Sequence, residues 1–241
     1  MSRCYLDIYD GCIENVPIMS NRPPFAPCEW YHCYSRGVDK RNVFENKNDY
    51  ERFLQLLYLI NSEKPIHRSD LHKKTTSEIM MMERSKPIVA IAAYSLMRNH
   101  FHILLKEIFE GGISRFMRTL GIAYAMYFNI KNERVGNLFV KPFRSKHAEE
   151  DRYFKYVTQY IHLNSIEIFE PRWKDGSIRN FSQLEDKIRN YRYSSLQDYC
   201  KIERPEKNIL DLETFEWLKD ELPPLRNILP EAVEYYQDLS R

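Results

Sequence analysis

His100 and His102 stand two apart in "RNHFHILL" (98–105), a run whose other residues read as a strand. Side chains alternate across a strand, so His100, His102 and Leu104 share one face. Phe101, Ile103 and Leu105 take the other and can enter a core. Two imidazoles so spaced can reach one cation, and neutral imidazole is a common ligand for divalent metals. The same spacing also fits two histidines on an open sheet face with no ion between them. A second set lies in "YVTQYIHLNSI" (156–166). Tyr160 and Asn164 are four apart and share a helix face, whereas His162 points away from both. A phenol can act as a nucleophile, and a carboxamide oxygen can ligate a metal. The chain holds 17 tyrosines, so a core tyrosine is the plain alternative for Tyr160.

Local basicity is the third feature. Lys131, Arg134, Lys141, Arg144, Lys146 and His147 fall in a stretch with few acids, and Arg36, Lys40 and Arg41 cluster earlier. Trp30, Tyr31, Tyr34, Phe139 and Phe143 are interleaved with them. Cations for phosphates beside rings for bases are what a single-stranded nucleic acid requires. A solvated charged surface would have a similar composition.

The whole chain sets bounds on these readings. Its 241 residues are 43% hydrophobic, enough for one fair-sized core. Basic and acidic residues number 36 and 34, a net charge of +2, so any nucleic-acid signal is local rather than global. The five cysteines form no CxxC pair, which argues against a disulfide framework and fits a reducing compartment. No segment reaches the roughly 20 apolar residues of a membrane helix, and the first residues are polar and acidic where a signal peptide is apolar. The expectation is a soluble cytoplasmic protein with no membrane partner.

The positioning elements follow from periodicity. Residues 1–27 end in the proline-rich "NRPPFAP" and read as an extension. A first strand over 28–37 is closed by Gly37. A helix over 48–64 carries Phe53, Leu56, Leu57 and Ile60 on one side, with Asn48 or Asp49 as its cap. Residues 65–86 read as a loop or loosely held helical insertion. Strands over 87–97 and 100–107 form a hairpin through Arg98-Asn99. A helix over 111–132 opens at Gly111-Gly112, with Ile113, Phe116, Leu120, Ala123 and Tyr127 as its stripe. A strand over 136–148 is interrupted at Pro142. A helix over 149–169 carries acids in its first turn, and the tail over 171–241 offers two short amphipathic helices. The order β-α-β-β-α-β predicts an α+β fold: a ferredoxin-like antiparallel sheet, with the Tyr160 helix and a helical tail added, and a main domain over 28–170.

Taken together, these segments resemble the HUH transposases with one catalytic tyrosine, the insertion-sequence-200-like family, and especially its branch associated with repetitive extragenic palindromes. "YHCYSRGVDKRNVFENKNDYERFLQLL" (31–57), "YSLMRNHFHILLK" (94–106), "ISRFMRTLGIAYAMYFN" (113–129), "GNLFVKPFRSK" (136–146) and "YVTQYIHLNSI" (156–166) follow one another in the family's order. "YRYSSLQDY" (191–199) is similar to a further Ser-Ser segment of that branch. Ser165 stands where the family usually has proline, and the 65–86 segment is longer than usual. The resemblance implies cleavage and rejoining of single-stranded DNA through a 5′-phosphotyrosine on Tyr160. It implies a divalent cation, Mg²⁺ or Mn²⁺, on His100, His102 and Asn164. Hairpin-containing DNA would be the target, with Arg36, Lys40, Arg41, Lys141, Arg144 and Lys146 as phosphate contacts and a nucleoid-associated location. It leaves open a homodimer in which one chain lends its tyrosine helix to the other. Three other readings compete: a catalytically silent nucleic-acid-binding module of the same fold, a metal-dependent hydrolase, and an RNA-binding sheet. The last lacks the expected aromatic pair, because histidines hold that face.

Overall fold

The structure is a computed structural model that describes residues 24–66, 68–173, 178 and 180–240. Most of the extension expected over 1–27 lies outside the described residues. β1 (Trp30–Arg36) leads through α1 (Lys47–Leu59) and a short α2 (Thr76–Met80) to β2 (Val89–Met97) and β3 (His100–Glu107). α3 (Gly112–Lys131), β4 (Arg144–Ala148) and α4 (Asp151–Leu163) follow. The four strands form one antiparallel sheet in the order β2-β3-β1-β4. That is the ferredoxin-like arrangement expected from the element order. The Arg98-Asn99 turn stands as anticipated, with Met97 opposite His100.

One face of the sheet packs on α1 and α3. Phe101 lies 4.9 Å from Phe53 and 5.4 Å from Phe139, and Tyr124 of α3 is 5.0 Å from Phe53. The stripe of α3 is Ile113, Phe116, Leu120, Tyr124 and Phe128 rather than one ending in Ala123 and Tyr127. Steps of four continue through the buried rings, while Tyr127 turns its hydroxyl to Asp49 at 2.9 Å. The glycine pair at the helix start has a physical reason. Gly111 has φ +82°, and a Cβ on Gly112 would sit 2.7 Å from the Ile88 carbonyl oxygen. Buried Glu107 accepts hydrogen bonds from the Gly111 and Ile113 amides at 2.6 Å, which satisfies donors at the start of α3.

Other boundaries differ from expectation. α1 is capped by Asn46, with Asp49 completing the capping box at the third helical position. The insertion is held at its end: Ile79 and Met80 are buried, and the Met80 carbonyl accepts from Asn208 Nδ2 at 3.0 Å. Pro142 does interrupt its strand, leaving Phe139 as an isolated bridge to Gly37 ahead of β4. The helix expected over 149–169 breaks at Asn164 and resumes as α5 (Ile166–Phe169). The tail holds more than two helices: α6 (Phe181–Arg189), α7 (Leu196–Tyr199), α8 (Leu212–Leu218) and α9 (Leu225–Ser240). Its Tyr193 and Ser195 hydrogen-bond the backbone of β2. Of the described cysteines, Cys33 and Cys200 are free.

Asp49 is the buried electrostatic joint between α1 and α3. It is fully enclosed and lies 2.7 Å from Lys131 Nζ. Burial alone would raise its pKa, but the Lys131 ammonium, the Glu45 amide and the Tyr127 hydroxyl together hold it below the usual carboxylate range. Stability from such a group is present above its unfolded pKa of about 3.9 and is lost as pH falls through the lower folded value. Lys131→Met should cost about 3 kcal/mol by urea denaturation at neutral pH, the low end for a broken buried pair. The difference from wild type should shrink as pH is lowered below about 4. An equal cost at both ends would contradict this assignment.

Candidate active site

The register builds the site. Tyr34 lies opposite His102 and Arg36 opposite His100 on one side of β1, while Lys146 lies opposite His32 and Arg144 opposite Tyr34 on the other. Directly paired residues project to the same face. One sheet face therefore carries His32, Tyr34, Arg36, His100, His102, Arg144 and Lys146. It is not the open face that two histidines on a strand could equally have indicated. α4 lies across it through Phe154, Val157, Tyr160, Ile161 and Leu163, which are buried at helical spacing. Phe154 packs 4.8 Å from Trp30, and the Tyr160 ring sits edge-on to His32 at 6.1 Å. Tyr160 and His32 meet within one chain.

His32 escaped the sequence reading. It is buried, and its Nε2 is 2.7 Å from His102 Nδ1. The two rings stack at 4.9 Å, Tyr34 stacks on His102 at 5.3 Å, and His100 stands edge-on to His102 at 5.2 Å. His100 Nδ1 is 2.6 Å from Asn99 Oδ1, whose carboxamide oxygen can only accept, so that nitrogen carries the proton. Burial and the nearby Lys146 charge push the His32 pKa down to about 3, so the ring is neutral. Alternation in "WYHCYSR" placed His32 beside Trp30 and Tyr34, but only the β1–β3 register reveals that this face is the one holding His100 and His102.

Asn164 closes α4. Its Nδ2 donates to the Tyr160 carbonyl at 3.0 Å. Its Oδ1 is buried with no hydrogen-bond partner among the described residues. An enclosed amide oxygen without a donor is costly, and a cation would satisfy it. Among the described residues no three His, Cys, Asp or Glu side chains group as a metal site. His162 points away as helical geometry required: its Nδ1 is 3.0 Å from Gln159 Oε1 and its Nε2 2.9 Å from Ser195 Oγ.

The basic residues divide. Arg36, Arg144 and Lys146 are exposed on the histidine face. Lys40 is exposed on the loop after β1, which is tied to the hairpin turn by Gly37 N to Asn99 O at 2.8 Å and Asn99 Nδ2 to Lys40 O at 3.3 Å. Arg41 is half-buried and donates to the Val38 carbonyl, and Lys141 is exposed before Pro142. Lys131 belongs to the Asp49 pair instead. Several rings of the expected stacking set are consumed by packing: Tyr31 and Phe139 are buried, and Trp30 packs against Phe154. Tyr34 remains half-buried at the site.

A ferredoxin-like sheet with paired histidines under a tyrosine-bearing helix defines the class of domain. The family model described as "Transposase IS200 like" matches residues 30–164, and the chain belongs to that family. Among solved structures, one titled "Structure of the REP associates tyrosine transposase bound to a REP hairpin" is similar at 9% identity and a TM-score of 0.45, over 76% of this chain and 86% of that chain. No curated protein matches the chain. Among the described residues no helix is long and apolar enough to cross a membrane.

The His32–His102 hydrogen bond is the feature most open to test. His32→Leu should remove it and leave His102 Nδ1 buried, at a cost of about 1–3 kcal/mol. Nitrogen NMR of the His102 side chain should show a single protonated nitrogen in the wild type and a mixture of tautomers in the variant. An unchanged tautomer signature would mean that His32 does not orient His102.

Proposed function

We propose that this member of the IS200-like family cleaves and rejoins single-stranded DNA through a covalent 5′-phosphotyrosine on Tyr160. The observation that supports the reading is the packing of α4, which sets the Tyr160 ring edge-on to His32, the ring that stacks on His102, to which His100 in turn stands edge-on. Tyr160 Oη forms a bond to the scissile phosphorus as the bond to the 3′-oxygen breaks. The phenol's proton is lost to solvent or a neighbouring base, and the leaving oxygen becomes a 3′-hydroxyl. The phosphodiester energy stays in the new ester, so the reverse attack rejoins a strand without ATP.

His100, His102 and Asn164 fit a divalent cation, Mg²⁺ or Mn²⁺, through the two Nε2 atoms and Oδ1. Such a cation would withdraw charge from the scissile phosphate. The chain's own contribution is positional. Asn99 and His32 fix the two imidazoles, and the turn from Tyr160 to Asn164 puts nucleophile and ligand on one side of α4. Arg36, Arg144 and Lys146 support a phosphate track along the same face, with Lys40, Arg41 and Lys141 at its margin. These contacts place a strand without reading its sequence. Hairpin-bearing DNA as the target, as in the palindrome-associated branch, is part of this proposal.

One observation favours a second reading, a silent DNA-binding module. Tyr160 is only 3% exposed, so a phosphate reaches its hydroxyl only if α4 lifts from the sheet or neighbouring residues part. Incubation with a labelled hairpin oligonucleotide and Mn²⁺ separates the two. The transposase reading expects a protein–DNA adduct on a denaturing gel, lost in Tyr160→Phe and in the paired His100→Ala, His102→Ala variant, which should still bind DNA. Binding with no adduct under any divalent metal supports the silent module, and an adduct that survives in Tyr160→Phe rejects this nucleophile.

A further inference from the structure

Apolar packing holds α4 on the sheet, but it does not by itself fix the rotation of the helix. Burial of apolar side chains is non-directional. The last turns of α4 are enclosed all round, with every residue from Val157 to Asn164 buried. A small rotation would keep most of that contact and carry the Tyr160 hydroxyl away from the histidines. A directional restraint is needed, and a buried series of hydrogen bonds supplies one.

Its direction can be read link by link. The Pro223 carbonyl only accepts, so Gln159 turns Nε2 to it at 2.6 Å. Gln159 Oε1 then faces His162 Nδ1 at 3.0 Å, and Nδ1 carries the proton. Burial and the Arg204 charge hold the His162 pKa down at about 3, so the ring is neutral and Nε2 accepts. Ser195 Oγ donates to it at 2.9 Å. The Tyr94 carbonyl, 3.2 Å from that hydroxyl, is already served by the Ser195 amide at 3.0 Å. Ser195 Oγ accepts in turn from the Tyr94 amide of β2 at 2.9 Å. Ser195 is itself held in place. Arg204 binds Asp198 at 2.8 and 2.5 Å and the Ser194 carbonyl at 2.7 Å, and the Asp198 amide donates to the Ser195 carbonyl at 3.0 Å. The series therefore ends on β2 at one side and on the turn before α9 at the other, with α4 between them.

The links on α4 lie where they can control the reactive pair. Gln159 and His162 are three apart, and Tyr160 and Asn164 are four apart. At about 100° per residue, the midpoints of the two pairs lie roughly 150° apart around the helix. The series grips the side of α4 nearly opposite Tyr160 and Asn164. We infer that Gln159, His162 and Ser195 are positioning residues: their bonds fix the rotation of α4 and so set the Tyr160 hydroxyl and the Asn164 oxygen over the histidine face. The inference rests on the reading that Tyr160 is the nucleophile. It gives Ser195 of "YRYSSLQDY" a part in the reaction through residues of α4 rather than by contact with the substrate.

Two measurements on the full chain test it. The first needs no DNA. Nitrogen NMR of the His162 side chain should show the proton on Nδ1 alone in the wild type. Gln159→Met keeps the length of the side chain but has no donor and only a weak acceptor. In that variant the proton should move toward Nε2, where the Ser195 hydroxyl can accept it. A wild-type proton on Nε2, or a tautomer unmoved by the substitution, overturns the inference. The second follows the rate of adduct formation on a saturating hairpin oligonucleotide with Mn²⁺. Ser195→Ala and Gln159→Met should each slow it about ten- to a hundredfold, the scale of a displacement of roughly 1 Å. Affinity for the oligonucleotide in metal-free buffer should change less than about twofold. Because the residues act as a unit, the double variant should be about as slow as the slower single one. Mere loss of stability would lower the melting temperature and leave the rate of the folded chain intact. Should Ser195→Ala fail to fold, Gln159→Met carries the comparison. Unchanged rates beside an active wild type overturn the positioning role and leave the transposase reading standing. No adduct from the wild type under any divalent metal rejects the transposase reading, and the positioning role with it.

Discussion

The site depends on one packing event: α4 must dock on the sheet face that carries the histidines. Tyr160 then meets His32 at 6.1 Å, and His32 meets His102 through a buried hydrogen bond of 2.7 Å. Neither element makes a site alone. The hairpin supplies imidazoles, and α4 supplies a phenol and an amide oxygen from a region sixty residues further along the chain. Phe154 on Trp30 and the apolar stripe of α4 provide the driving force, since burying such side chains contributes about 1.5–3 kcal/mol each. The tail adds to this clamp: Ser195 bonds buried His162 of α4 as well as the backbone of β2.

Docking also dries the site, and that decides which roles the side chains can fill. His32 is neutral, with its pKa near 3, whereas an ordinary tyrosine titrates near 10. Moving a proton from such a phenol to such an imidazole would cost about 10 kcal/mol at roughly 1.4 kcal/mol per unit. His32 therefore acts on geometry rather than as a base. Its hydrogen bond to His102 is placed to fix that ring, the role that the proposed function gives it. Asn164 has the complementary role. Its buried oxygen is tolerable if the site is completed by a cation, and its amide nitrogen ties it back to the turn that carries Tyr160.

Much of this was legible in the sequence because it is local. Alternation put His100 and His102 on one face, helical spacing put Tyr160 and Asn164 on one side, and the element order gave the sheet. What was missed is non-local. His32 joins the site only through strand pairing between residues seventy apart. The stripe of α3 was misplaced by one residue near its end because Tyr127 and Tyr124 are equally apolar by composition, and only the Asp49 partner distinguishes them. The break at Asn164 was hidden by apolar residues that continue in period through Ile166 and Phe169. Basic residues were the least legible: Lys131 reads like Lys146 in sequence, yet one is held by a buried carboxylate and the other lies exposed on the histidine face.

The most direct test of the central claim is a crystal structure of the full chain with Mn²⁺ and a hairpin oligonucleotide, the metal located by its anomalous scattering. The account predicts manganese bound by His100, His102 and Asn164 of a single chain, with the Tyr160 hydroxyl turned toward a DNA phosphate at that metal. Manganese bound away from these three residues, or Tyr160 still enclosed with no approach to the phosphate, would contradict it.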